Sequence, residues 1–94
     1  MYNSETITEK NLTLSFEFER YLLENPELLD EIPSGAEVVL LPKDDPELYQ
    51  LNLESAQRHK SETAAHIIYI EIDALRPPRS RLINPRLTLQ PALD

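Results

Sequence analysis

The chain has no cysteine. A disulfide framework is excluded, and so is any thiolate metal site. Only one glycine occurs in 94 residues, Gly35. Glycine-rich phosphate loops need several, so nucleotide-binding fingerprints of the usual form are ruled out. No apolar run approaches the roughly 20 residues that cross a bilayer. The first ten residues are polar and lack a hydrophobic signal core, so the expected location is the cytoplasm, with no membrane partner.

Acids are missing from one region only. Residues 1–75 carry 16 acids and 5 bases, whereas Ala74 to Leu93 carries four arginines and no acid. The net charge of −8 therefore hides an acidic body and a basic tail. An acidic body opposes nonspecific nucleic-acid binding, which needs cations to neutralise phosphates. The tail also has no Phe, Tyr or Trp, the groups on which single-stranded bases stack.

What is present fits one domain: 40% of residues are hydrophobic, in a chain short enough to bury only a modest core. Residues 1–10 read as a flexible polar leader. Asn11 reads as the cap of a first helix. The stretch from Leu12 fits two patterns. Leu12, Leu14, Phe16 and Phe18 alternate with polar residues, as in a strand, yet Leu14, Phe18, Tyr21 and Leu22 form one side of a helix. The absence of a turn residue before Glu24 favours the helix.

Asn25-Pro26-Glu27 and Asp45-Pro46-Glu47 share the grammar of a helix start: cap, proline at the first position, acid in the first turn. The first opens a short helix through Ile32, and Pro33-Ser34-Gly35 closes it, with Gly35 expected at positive φ. The second opens a helix ending in Arg58-His59-Lys60. Ala36–Leu41 and His66–Asp73 read as strands. Val38 to Leu41 is apolar on both faces, which suits a buried parallel strand. Val39, Leu40, Ile68 and Ile70 are the expected core. The predicted fold is α/β: a small α-β-α-β domain over residues 11–75 with a parallel βαβ unit, followed by an extended Arg/Pro-rich tail at 76–94. Two strands leave open edges, which predicts a homo-oligomer or a tail-completed sheet.

Candidate chemistry is sparse. His59 at a helix end and His66 at a strand start have no ligand partners at metal spacing. Asp44 and Asp45 read as helix capping rather than an acid–base pair. Glu71 and Asp73 lie at the C-terminal end of a strand, where α/β sites form, and are the one location for a small enzyme or an accessory subunit. No catalytic residue, cofactor or metal is expected.

The tail is the sharpest feature. Arg76, Arg79, Arg81 and Arg86 alternate with Leu82, Ile83 and Leu87 and with prolines that forbid a continuous helix. Leu87-Thr88-Leu89 fits a short strand. Three readings stay open: a segment that docks on a partner protein, a nucleic-acid contact through the arginines, or a strap folded back on the acidic body. The first is the leading expectation, a non-enzymatic interaction module of antitoxin-like design.

Asn11 with Glu17-Phe18-Glu19-Arg20-Tyr21-Leu22-Leu23, then Val38-Val39-Leu40-Leu41-Pro42 with Asp44-Asp45-Pro46-Glu47, then Leu75-Arg76-Pro77-Pro78-Arg79-Ser80-Arg81, resembles a small bacterial and archaeal family catalogued only as a domain of unknown function. The resemblance spans about residues 11–87. It implies a prokaryotic cytoplasmic setting, and no activity, substrate or site residue.

Overall fold

Helix α1 runs from Ser4 to Glu24, earlier in the chain than the sequence pattern suggests. The computed structural model describes residues 1–58 and 66–89. The predicted leader is therefore helical from its fourth residue. Asn3, not Asn11, is the cap: its side-chain oxygen accepts the Thr6 N–H at 2.8 Å. Glu5 in the first turn adds the favourable charge for the helix dipole. The helix also gains tertiary support that composition cannot announce, because Tyr2 and Lys10 both reach Asp45.

The double pattern of α1 has a physical resolution. Alternating apolar residues in a helix fall on opposite sides, since each residue turns the chain by a little under a third of a revolution. Leu14 is buried and Phe18 and Leu22 are half-buried on the inner side. Leu12, Phe16 and Leu23 form a second stripe on the outer side, each more than half exposed.

Pro26 cannot donate the hydrogen bond that would continue α1. Asn25 closes it instead, with its backbone N–H and its side-chain amide both donating to the Tyr21 carbonyl, at 2.8 and 3.0 Å. The Asn25 side chain thus caps the end of α1 and makes no capping bond to the next helix. That helix, α2, is a single short turn and a half, Pro26–Asp30, and stops before the predicted Ile32. Gly35 adopts φ +78°, the left-handed conformation expected of it.

Strand β1, Glu37–Pro42, pairs in parallel with β2, Ile67–Ile72. The register runs from Glu37 opposite Ile67 to Pro42 opposite Ile72. The Lys43 N–H extends the ladder to the Ile72 carbonyl at 2.7 Å. Helix α3, Pro46–Arg58, connects the strands and packs on β1. Asp45 caps it, accepting the Leu48 N–H at 3.3 Å. The order α-α-β-α-β with a two-stranded parallel sheet is the predicted mixed α/β class. His59, Lys60 and the loop predicted at Ser61 to Ala65 lie outside the described residues.

The core is thin and differs from the predicted one. Among the described residues the buried hydrophobic side chains are Leu14, Leu41, Leu48 and Ala56. Val39, Leu40, Ile68 and Ile70, expected to be buried, are only half-buried. A central strand in a large sheet is covered on both faces, whereas two strands and three helices are too few to enclose both faces of this sheet.

Candidate functional site: the basic tail and the groove beside it

The tail leaves the body at Leu75, whose N–H donates to the Asp44 carboxylate at 3.2 Å. Pro77 and Pro78 then fix an extended backbone. Residues 74–89 form no helix or strand, so the strand expected at Leu87-Thr88-Leu89 is absent. Asn84, at φ 44°, makes a local bend before Pro85. The radius of gyration is 18.7 Å, against about 12 Å for a compact chain of this length.

All the residues predicted to bind a partner are exposed: Arg76, Arg79, Arg81, Leu82, Ile83, Arg86 and Leu87. The apolar ones range upward from 74% exposure at Leu82 to 95% at Leu87, and Leu89 beyond them reaches 100%. Among the described residues, none of the four arginines forms an ion pair. No ion pair among the described residues therefore ties the tail to the acidic body.

The strand-end carboxylates are occupied with structural work. The Tyr49 hydroxyl donates to Glu71 at 2.6 Å, and Lys43 lies 3.6 Å from Glu71 and 3.9 Å from Asp73. The Tyr49 hydrogen bond, with Lys43 beside it, holds the Glu71 carboxyl below its ordinary range. The same bond pushes the Tyr49 phenol up. Asp44 takes the Leu75 N–H, and Asp45 is the cap of α3. His66 is exposed at the start of β2, where its carbonyl accepts the Glu37 N–H. Among the described residues, no group of three or more potential ligands is arranged to hold a metal ion.

Two features escaped the sequence pattern. One is the polar tie between α1 and α3. Tyr2 donates to both Asp45 oxygens at 3.0 Å, and Lys10 donates to Asp45 at 2.8 Å and to the Tyr2 oxygen at 3.0 Å. Partial burial pushes the Asp45 carboxyl up, but the bonds from Lys10, Tyr2 and the Leu48 N–H outweigh it and hold it low. The bonds to Asp45 and Tyr2 push the Lys10 ammonium well up. The signal available was Asn3 followed by Glu5, a cap and a first-turn acid. The other feature is a groove of about 550 Å³ between α1 and β2, walled by Phe18, Tyr21, Tyr69 and Ile72 and ending at Leu75.

The fold and these surfaces define a small parallel-sheet α/β domain followed by a basic segment whose described residues, 76–89, are exposed. Among the described residues, no helix is long and apolar enough to cross a membrane. A family model matches residues 6–85, and the chain belongs to that family, DUF5647, a family of unknown function. No curated protein and no solved structure matches it.

Proposed function

We propose that this protein is a non-enzymatic interaction module that docks on a partner protein through its C-terminal tail. The observation that carries the reading is the combination, in one segment, of arginines that make no ion pair among the described residues with exposed Leu82, Ile83 and Leu87. Exposed apolar side chains in a row are costly in water and serve as anchors in an interface. The arginines would then pair with acids of the partner through their planar forks. The design is antitoxin-like in this sense only: a small body presents an extended grip. The same reading takes the module to be prokaryotic and cytoplasmic, which fits a chain without cysteine.

The test compares two sets of alanine variants: Arg76, Arg79, Arg81 and Arg86 in one, Leu82 and Ile83 in the other. Tagged protein is used to recover its partner from the native host at low salt, and each variant is melted. Protein docking predicts that both sets abolish capture and leave the helical fold of the body intact. Nucleic-acid binding predicts that only the arginine set matters and that binding falls steeply with salt. Capture that survives both sets removes the tail from the account.

A further inference from the structure

We propose that the groove between α1 and β2 receives the tail of a second copy of this chain, in a reciprocal exchange about a two-fold axis. This rests on the reading of the tail as a docking segment and names its partner.

Groove and tail are complementary in three respects. The groove walls are apolar and aromatic, and its volume of about 550 Å³ admits several side chains. Leu82, Ile83 and Leu87 are the exposed apolar groups available to fill it. The charged residues in its lining are both acids, Glu17 and Glu71. They meet a tail with four arginines and no acid from Ala74 to Leu93. Each acid already has an exposed partner, Arg20 at 3.4 Å and Lys43 at 3.6 Å. Such pairs contribute little and yield readily to a better-placed guanidinium. Third, the outer edge of β2 has no strand beside it among the described residues. Residues 86–89 contain no proline, so their N–H groups can add to that edge.

A chain's own tail is poorly placed to enter its own groove. Ala74 and Leu75 already form the end of the groove, and the Asp44 bond fixes Leu75 there. The chain then leaves through Pro77-Pro78, which carry it outward at about 3.1 Å per residue. None of residues 76–89 lines the groove. A symmetry-related copy presents the same groove without this constraint, and exchange of an identical segment is a low-cost route to a dimer.

Sedimentation equilibrium of the full chain tests the pairing. The expected particle has twice the chain mass of 10.9 kDa. Leu82→Asp with Ile83→Asp should raise the dissociation constant roughly 100-fold or more, as loss of buried anchors does. The helical circular-dichroism signal should be unchanged, because both positions lie outside every helix. The contact itself is tested by mixing an Ile83→Cys protein with a Tyr21→Cys protein, in a chain that has no other cysteine. Oxidation should yield a mixed disulfide between copies. A dimer that survives the tail substitutions overturns the proposal, as does one lost only on Phe16→Asp, which assigns the pairing to the outer stripe of α1. A monomer at every concentration that still captures a different protein through its tail overturns the exchange and leaves the docking reading standing. A monomer that captures nothing overturns both.

Discussion

The Lys10 ammonium lies 2.8 Å from the Asp45 carboxylate, joining the first turns of α1 to the cap of α3. Asp45 thus does two jobs. It satisfies the free Leu48 N–H at the start of α3, and it receives Lys10 and Tyr2 from the N-terminal segment.

Replacing Asp45 with alanine should therefore cost more than replacing Lys10 with methionine. The cap alone accounts for about 0.5–2 kcal/mol. The methionine keeps a chain of similar length and loses the partly buried ion pair with Asp45 together with the bond to the Tyr2 oxygen, while the cap of α3 stays in place. Chemical denaturation of the two variants, compared at one pH, measures the difference.

The pH profile should be a plateau with two falling limbs. Asp45 and Glu71 are held below their ordinary carboxylate value of about 4. Each adds stability above that value and loses it as pH falls through the lowered folded value. Lys10 and Tyr49 are raised above ordinary values of about 10. Their contributions are complete below those values and are lost as pH rises through the folded ones. Thermal melts across pH should show both limbs. Asp45→Asn, which retains a capping oxygen, should flatten the acid limb.

In the core, Leu48→Ala should cost about 2–5 kcal/mol, because a fully buried leucine leaves a cavity the neighbours only partly fill. Ile68→Ala should cost clearly less, since Ile68 is half-buried. Urea midpoints of the two variants check the order. A larger loss at Ile68 would show that the face it lies on is covered in solution.

The parts of the fold legible in the sequence are those set by local chemistry. Pro26 and Pro46 mark two helix starts, Gly35 marks the left-handed turn, and the apolar runs mark both strands. The start of α1 was signalled only by Asn3 and Glu5, because its first turns rest partly on contacts with Asp45, more than 30 residues away. The same holds for Asn11. Its pattern suggests a cap, but its amide donates to Asn52 at 3.1 Å and accepts from it at 2.9 Å. Asn52 in turn donates to the Leu40 carbonyl at 2.9 Å. Polar residues facing each other across helices leave no periodic trace. At the candidate site, the tail could be read directly because its residues are consecutive. The groove could not, because Phe18, Tyr21 and Tyr69 come together only through folding.

The parallel register has a consequence for how the chain assembles. Every paired position in β1 meets one 30 residues later in β2, as Glu37 meets Ile67 and Pro42 meets Ile72. No hairpin is available to start the sheet. The entropy of closing the whole crossover must be spent before the first ladder bond returns anything. Helix formation needs no such closure, so α1 and α3 can form early, with Asp45 and Leu48 orienting the crossover. A parallel ladder of this separation is thus expected to close after its crossover helix has formed.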